Sequence, residues 1–508
     1  MKVAIQAIDQ QKTTLLSLLK KLGTTPYAIG LGLGDIPKAA SLDELQQAFV
    51  DKTPVVNYPT LVKQLESMRP ALKGLDVFMA DSPLLAETVA AFAPDSDGHL
   101  IPVSSGLLKA FQSTERDLLT TYRKQWPEIG KGTWFYICDD AMVEHYNKHA
   151  TADLFTLQME QKSLLSQRAV APDLLGVQAV GRSRSQALLV YADELQKHGK
   201  DVHTIVASAR TLSDLCFLLA QREGKFIPLQ ALCPNVKLFL FTDDPSTHIR
   251  ELQYFFSGLE IPMASFIARP YGLVAWQADL NQRSVMALPL ENNLYYEFIP
   301  TTDIDASGRL KKDYKRLHIG QTVPGRDYAL VVTTSLGLIA YQTGDIVQIV
   351  DKEPVTFKWM RYQQALNGFG EYLIEDAICN LVESFNNALV PYGFFIRDFM
   401  VGDRATDRCP HWVIEISRQP KDLPEKVLQS VTNRLHRELA KDLPTYMAAF
   451  SHNRTFPPSM HFVPMGSFTN MPSPFEHTRL DHTEEAERLE QVLKRVGEQA
   501  VTLRGPLL

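Results

Sequence analysis

The feature that most constrains the fold of this chain is its mixture of amphipathic helical segments and short, almost wholly apolar segments. Residues 8–22 and 184–198 carry apolar side chains at helical spacing. Residues 236–241 read VKLFLF, and residues 261–267 are nearly as apolar. Strands of that composition lie in sheets that are covered on both faces, usually by helices. The pattern therefore predicts a large α/β domain.

The pattern changes near residue 364, after which short helical and strand-like segments alternate. These segments cover residues 371–384, 394–401, 411–417, 423–439, 459–464 and 483–501. We therefore predict two domains: a large N-terminal α/β domain over residues 1–360 and a smaller, mobile C-terminal α+β domain over residues 361–508. No Gly/Ser-rich linker marks the boundary, and residues 352–367 are the predicted hinge.

Charge and cysteine content exclude several classes of protein. The 508 residues include 52 basic and 58 acidic ones, a formal net charge of −6, which gives no positive field for holding nucleic acid. No window approaches the roughly 18 apolar residues of a membrane span, and polar residues interrupt the N-terminal segment. The five cysteines are scattered without a CxxC pair. We expect a cytoplasmic protein with reduced, buried cysteines and no nucleic-acid or membrane partner.

Short motifs spaced along nearly the whole chain are the most informative part of the sequence. In chain order they are residues 53–61 (TPVVNYPTL), 99–103 (HLIPV), 234–236 (PNV), 295–300 (YYEFIP), 341–345 (YQTGD), Arg361 with 368–371 (GFGE), and 466–468 (GSF). This ordered set resembles the GH3-like acyl-acid amido synthetases, which belong to the adenylate-forming superfamily together with acyl-CoA synthetases. YYEFIP and YQTGD carry most of the resemblance.

The resemblance implies a large adenylate-forming-type N-terminal domain and a small C-terminal domain that swings between two half-reactions. In such enzymes ATP and a carboxylic acid give an acyl-adenylate and pyrophosphate, and an amine then attacks to form an amide. The matched positions imply that Tyr341 and Asp345 belong to the nucleotide pocket, with Asp345 accepting hydrogen bonds from ribose hydroxyls. Arg361 matches the family's hinge arginine and is suited to a phosphate. The alternative for Asp345, which follows Gly344, is that it ends a turn.

The segment expected to hold the triphosphate departs from the family. Relatives have a Ser/Thr/Gly-rich loop whose backbone N–H groups and hydroxyls surround phosphate oxygens, whereas residues 92–98 read FAPDSDG. Two carboxylates facing a triphosphate repel it by about 1 kcal/mol per close pair even in a water-like dielectric. Glycines expected beside adenine are also replaced in residues 241–245 (FTDDP). These departures predict a degenerate ATP site.

The expected magnesium ligand and the late lysine are replaced as well. Alignment of residues 267–272 (IARPYG) puts Tyr271 where the family has a glutamate, and a phenol with a pKa near 10 is a poor Mg²⁺ ligand. We therefore predict no metal site, and we place Arg269, Tyr271 and Trp276 in a substrate or nucleotide-like pocket. His477 takes the place of the family lysine and is the candidate general base for deprotonating the amine.

Three functions remain open. In the first, the protein forms an amide from an amine and an already activated acyl group, a thioester on CoA or on a carrier protein, without its own ATP step. In the second, it is an ATP- and Mg²⁺-dependent acyl-acid amido synthetase. In the third, it is a non-catalytic homologue that binds a small acid or a partner protein. The partners expected for the first two are a small acyl donor and an amine acceptor.

Overall fold

The computed structural model divides the chain into two compact units. The large unit comprises Met1–Asp95, His99–Thr301 and Tyr314–Met360, and the small unit comprises Thr302–Asp313 and Arg361–Leu508. The structure describes the chain except for residues 1, 37–40, 79–86, 88, 95–98, 130, 168–173, 243–248, 257–260, 278, 281, 283–284, 291–292, 306–308, 353–354, 363–364, 367, 370, 372, 405–406, 469–479, 482–486 and 506–508.

Helices of the large unit confirm the helical segments predicted from apolar spacing. The helix after Ser41 begins with a capping box, in which the Ser41 and Glu44 side chains each bind the other residue's backbone N–H. The helices are α1 (Lys2–Leu22), α2 (Pro26–Gly30), α3 (Leu42–Val50), α4 (Tyr58–Met68), α5 (Ser105–Gln125), α6 (Leu154–Gln167), α7 (Arg184–His198), α8 (Ala209–Glu223), α9 (Leu229–Leu232) and α10 (Ile249–Phe256). None of the helices in the described part of the chain is long and apolar enough to cross a membrane.

Strands of the large unit include the apolar runs recognised in the sequence. They are β1 (Val89–Pro94), β2 (Leu100–Ser104), β3 (Thr133–Ile137), β4 (Glu144–Tyr146), β5 (His149–Thr151), β6 (Leu174–Leu175), β7 (Val202–Ala207), β8 (Leu238–Phe241), β9 (Met263–Arg269), β10 (Gly272–Trp276), β11 (Met286–Ala287), β12 (Leu294–Pro300), β13 (Asp327–Thr334), β14 (Tyr341–Lys352) and β15 (Val355–Tyr362). Strand β15 lies within the segment predicted as the hinge and crosses the boundary between the two units.

Eleven of these strands form one mixed sheet in the order β12-β13-β14-β15-β11-β10-β9-β8-β7-β3-β6. The run from β9 to β6 is parallel, and the hairpins β9–β10 and β12–β13 are antiparallel. Its parallel part is buried under apolar side chains from α5, α7, α8 and α10, which form one core with β3, β7 and β8. The α/β architecture predicted from the covered strands is therefore confirmed.

The small unit is an α+β structure built on a five-stranded sheet. Its order is β21-β18-β19-β20-β22. The elements are β16 (Ala365–Leu366), β17 (Leu373–Ile374), α11 (Glu375–Leu389), β18 (Ile396–Arg404), β19 (Cys409–Ile416), α12 (Glu425–Asp442), α13 (Pro444–Ser451), β20 (Ser459–Pro464), β21 (Leu480–Asp481), α14 (Glu487–Val496) and β22 (Val501–Arg504).

The end of the chain differs from the helix expected over residues 483–501. Helix α14 ends at Val496, and β22 then pairs antiparallel with β20. Val501 and Leu503 lie two positions apart, so they point to the same face of the sheet, where they pack against the main core of the small unit. Period-two alternation over four residues is too short to be separated from a helical tail by sequence alone.

Each face of the five-stranded sheet carries its own core. Trp412 and Ile414 of β19 pack with α11 and α12, whereas Val413 between them packs with Met400 of β18 and Leu489 of α14. This alternation follows from the pleat, which points successive side chains to opposite faces. We call the second of these surfaces the α14 face.

A buried ion pair joins three distant segments of the large unit. The Arg316 guanidinium donates to both carboxylate oxygens of Glu297, at 3.0 and 2.5 Å, and both side chains are almost wholly buried. It also donates to the backbone carbonyl and the hydroxyl of Thr53, and it lies over the Phe49 ring. Since Glu297 belongs to YYEFIP and Thr53 opens TPVVNYPTL, the pair explains why these motifs occur together.

Replacing Arg316 by methionine leaves the Glu297 carboxylate buried without its cation. We expect Arg316→Met to lower the free energy of unfolding by about 3–5 kcal/mol, measured by urea denaturation. The exposed pair between Arg222 and Asp193 provides the control, and Arg222→Met should cost at most about 1 kcal/mol. Equal losses for the two variants would contradict the structural role of the buried pair.

Four of the five cysteines confirm the expectation of small buried side chains. Cys138, Cys216, Cys233 and Cys409 are free thiols and buried. Burial raises the pKa of the Cys138 and Cys233 thiols to about 12. At pH 8 such a thiol has roughly a thousandfold less reactive thiolate than an exposed cysteine.

Alkylation of Cys138 and Cys233 should therefore be very slow in the folded protein. We expect iodoacetamide at pH 8 to modify neither residue within the time that fully labels the protein in urea, with mass spectrometry of the peptides as the measurement. Raising the pH toward 10 should speed the reaction about tenfold per pH unit, because the thiolate fraction grows by that factor at any pH well below the raised pKa. If iodoacetamide labels the folded protein as fast as the protein in urea, the structure around these cysteines opens freely and the prediction is wrong.

Candidate functional site

The YQTGD motif forms the first five residues of β14. Gly344 has a φ of +84°, a conformation that favours glycine, and the pairing of β14 with β13 shifts register at this point. The backbone N–H of Asp345 donates to Thr343 Oγ1 at 3.2 Å, and Thr343 Oγ1 donates to the Leu330 carbonyl at 3.0 Å. A bulge of this kind re-aims the following side chain, so Asp345 is a strand residue and does not end a turn.

The structure brings Tyr271, Tyr341 and Asp345 together, although the motifs that contain them are far apart in the chain. Tyr271 lies in the turn between β9 and β10, and its hydroxyl donates to Asp345 Oδ2 at 3.2 Å. The Tyr271 and Tyr341 rings are 6.2 Å apart at an angle of 53°. All three side chains are at least 98% buried. We call them the Asp345 cluster.

The remaining predicted site residues lie elsewhere or outside the described atoms. Arg269 ends β9 beside the turn that carries Tyr271 and is half-buried. Trp276 ends β10, about 17 Å along an extended chain from Tyr271, and packs edge-to-face on Tyr122 in the large core. The structure therefore packs the partly buried Trp276 against the large core. Arg361 lies on β15, and His477 lies outside the described residues.

Backbone and ring contacts hold the early motifs beside the Asp345 cluster. Val56 pairs with the start of β14: its N–H donates to the Ala340 carbonyl at 3.0 Å, and its own carbonyl accepts from Gln342 at 2.8 Å. The Tyr58 ring stacks on His99 at 4.5 Å. Sequence reasoning did not identify these contacts, and the only signal for them was that the motifs occur in a fixed order.

The chemistry of the cluster fits part of a nucleotide site. A buried carboxylate accepts several hydrogen bonds, so Asp345 is suited to ribose hydroxyls. Tyr271, which the sequence resemblance aligns with a magnesium-binding glutamate, points its hydroxyl at Asp345 as a donor. A phenol used in this way does not fit a magnesium ligand. Residues 95–98, 243–248 and 469–479, which contain other predicted departures from the family, lie outside the described residues.

Comparison with solved structures identifies the fold. A GH3.15 acyl acid amido synthetase superposes with a TM-score of 0.74 at 15% identity, covering 100% of this chain and 97% of that one. A 2-hydroxyisobutyryl-CoA ligase bound to an acyl-AMP superposes with a TM-score of 0.59 at 11% identity, covering 95% and 91%. At these identities the likeness shows the fold, which is the adenylate-forming fold with a smaller C-terminal domain.

Sequence comparison shows which family the chain resembles. Residues 287–360, which include β12 and the YQTGD strand, match the family model described as the GH3 family central domain. A probable indole-3-acetic acid-amido synthetase GH3.9 of Oryza sativa subsp. japonica is 28% identical over 192 residues, 36% of this chain and 41% of the relative. Indole-3-acetic acid-amido synthetase GH3.10 of Arabidopsis thaliana is 27% identical over 150 residues, 28% and 25%.

Over residues 287–360 the chain is similar to the GH3 family, a similarity that the ordered motifs predicted. The alignments span about a quarter to two fifths of the length of these curated relatives.

Removing the Tyr271 hydroxyl tests whether it supports Asp345. We expect Tyr271→Phe to lower the free energy of unfolding by about 1–3 kcal/mol, because a buried acceptor loses a donor. Tyr392, which is 52% exposed, provides the control: Tyr392→Phe should change the stability by less than about 0.5 kcal/mol. Urea denaturation of both variants is the measurement, and indistinguishable curves would rule out a supporting hydrogen bond.

Proposed function

We propose that the protein joins a small carboxylic acid to an amine by way of an acyl-adenylate, with ATP as the activating substrate. The observation that carries this proposal is the match of residues 287–360 to the GH3 central domain, since this segment contains Tyr341 and Asp345. The named relatives are amido synthetases, and the structural likeness to an acyl acid amido synthetase extends over the whole chain. The predicted loss of adenylation finds no support in these comparisons.

Within this proposal Asp345 binds ribose hydroxyls of ATP. A carboxylate has capacity for about four hydrogen bonds, so acceptance of a bond from Tyr271 is compatible with acceptance of bonds from a ribose. Arg361 is the candidate for a phosphate contact or for the hinge about which the small unit moves between adenylation and amide formation. His477 is the candidate base for the amine. Magnesium, which the relatives' chemistry implies, is not assigned to any residue of the Asp345 cluster.

Acid-dependent exchange of pyrophosphate into ATP tests the adenylation step directly. We expect exchange with at least one member of a panel of acids that includes indole-3-acetic acid and aryloxyalkanoic acids. Asp345→Asn should reduce the exchange at least about tenfold, because an amide replaces the charged acceptor and each lost charge-assisted hydrogen bond is worth about 1.5–3 kcal/mol. Asp351→Asn, at the exposed end of the same strand, should leave it unchanged.

Failure of exchange together with failure of Mg-ATP to raise the melting temperature would contradict this proposal. A ligand at 100 times its dissociation constant stabilises a protein by about 2.7 kcal/mol, which such a measurement detects.

A second candidate is amide formation from a thioester on CoA or on a carrier protein. It is favoured by one observation: the phenol of Tyr271, which the sequence resemblance aligns with a magnesium-binding glutamate, hydrogen-bonds Asp345. This candidate requires amide formation from an acyl thioester and an amine when ATP is absent. If the protein forms an amide neither from an acid with ATP nor from an acyl thioester, over the same panel of acids, the remaining candidate is a non-catalytic protein that binds a small acid or a partner.

A further inference from the structure

One end of the five-stranded sheet in the small unit carries a cluster of side chains of the types that bind metal ions. Cys409 and His411 of β19 point to the α14 face, because they alternate in phase with Val413. His461 of β20 pairs in register with Val413 and therefore points to the same face. Asp407, in the turn that precedes β19, completes the cluster. None of these side chains belongs to the Asp345 cluster.

The ligand atoms of three of these side chains converge. His411 Nε2 lies 3.3 Å from Cys409 Sγ and 3.1 Å from each carboxylate oxygen of Asp407. One such atom from each residue lies within 4.8 Å of those of the others. Cys409 and His411 are buried, and the Asp407 side chain is 23% exposed. The group is thus enclosed by protein and opens to solvent at its carboxylate.

This geometry differs from that of a nucleophilic cysteine. In a catalytic triad the nucleophile contacts one ring nitrogen of the histidine and the orienting carboxylate contacts the other. Here Cys409 and Asp407 both lie against Nε2 of His411, while Nδ1 is 2.8 Å from His461 Nε2. Sulfur, nitrogen and oxygen ligands that meet at one point suit a zinc-type ion.

We propose that Asp407, Cys409 and His411 bind a divalent transition-metal ion of the zinc type. Bonds of about 2.3 Å to sulfur and about 2.0 Å to nitrogen and oxygen, at a tetrahedral angle, separate S from N by about 3.5 Å and N from O by about 3.3 Å. The separations of 3.3 and 3.1 Å are each about 0.2 Å shorter, so small side-chain movements admit the ion. Three protein ligands leave a fourth position for water.

Outer hydrogen bonds are suited to orient these ligands. His461 Nδ1 lies 2.9 Å from Thr502 Oγ1; when it donates there, His461 Nε2 accepts from His411 Nδ1, and the lone pair on His411 Nε2 faces the ion. Arg504 donates to Asp407 Oδ2 at 3.1 Å, which leaves Oδ1 to bind. Metal-binding histidines and carboxylates in proteins are held by contacts of this kind.

The charges around the site are compatible with a divalent cation. A cysteine that binds a metal loses its proton, so Asp407 and Cys409 together supply two negative charges. The Arg404 guanidinium, on the same face, pairs with Glu490 of α14 at 2.5 Å. That pairing offsets much of the repulsion that an arginine would otherwise exert on the ion.

Metal binding by the full-length protein tests this proposal. After removal of metal with a chelator, we expect the protein to take up one equivalent of Zn²⁺, measured by mass spectrometry of the metal. We also expect Co²⁺ to produce a thiolate-to-cobalt charge-transfer absorption, which reports the Cys409 sulfur directly. Cys409→Ser should abolish this absorption and weaken zinc binding at least about tenfold. The control is Cys233→Ser, a buried thiol of the large unit, which should change neither signal.

A second variant tests the hydrogen bonds that orient the proposed metal ligands. We expect His461→Ala to weaken zinc affinity by about 10–100-fold while the cobalt absorption returns at saturating Co²⁺. A metal-free proton network, in which His411 Nε2 donates to Asp407, instead requires no stoichiometric metal and no cobalt absorption in the folded wild-type protein. That outcome overturns the proposal, and so does zinc uptake that Cys409→Ser leaves unchanged. The wild-type measurements decide the question even if a variant fails to fold, and they do not depend on the proposed function.

Discussion

The large unit depends on one buried ion pair, between Arg316 and Glu297. Removing both charges from water costs several kcal/mol per ion, and that cost is offset only because Arg316 also binds Thr53 and lies over Phe49. Such a pair has little tolerance for a shifted register, since a slip of one residue on β12 would turn Glu297 to the opposite face. The pair therefore specifies how β12 meets the segment around residue 53.

The Arg316–Glu297 pair also influences the position of the candidate site. The segment after Thr53 continues to Val56, whose backbone pairs with the start of β14. The bulge at Gly344 then turns Asp345 toward the β9–β10 turn, where Tyr271 donates to it. Each step uses backbone geometry or a buried polar contact, so the position of Asp345 depends on structure well outside its own motif. This explains why the motifs keep their order while the chemistry at Tyr271 differs.

Much of the fold follows from sequence periodicity, and less of the site does. Amphipathic spacing located the helices that end at Leu22 and His198. The contact between Tyr271 and Asp345 joins residues 74 positions apart, and it depends on how a large sheet bends, which no local pattern encodes. The Asp407–Cys409–His411 cluster did have a local signal, because alternate residues of a strand share a face. Its spacing differs from the CxxC pair that is typical of zinc sites, so the cysteine pattern did not predict it.

Because position 271 is a tyrosine, the binding of ATP and the binding of magnesium by the protein have to be considered separately, although the family resemblance implies both. Whether ATP binds depends on acceptors such as Asp345, and one hydrogen bond from a phenol does not exhaust a carboxylate. Whether magnesium is held by the protein depends on a carboxylate that this position lacks. A nucleotide can arrive with magnesium already on its phosphates, since Mg²⁺ keeps several waters and often binds through phosphate oxygens with only one or two protein carboxylates. The substitution at Tyr271 is therefore compatible with adenylation, provided that residues other than the Asp345 cluster contact the metal.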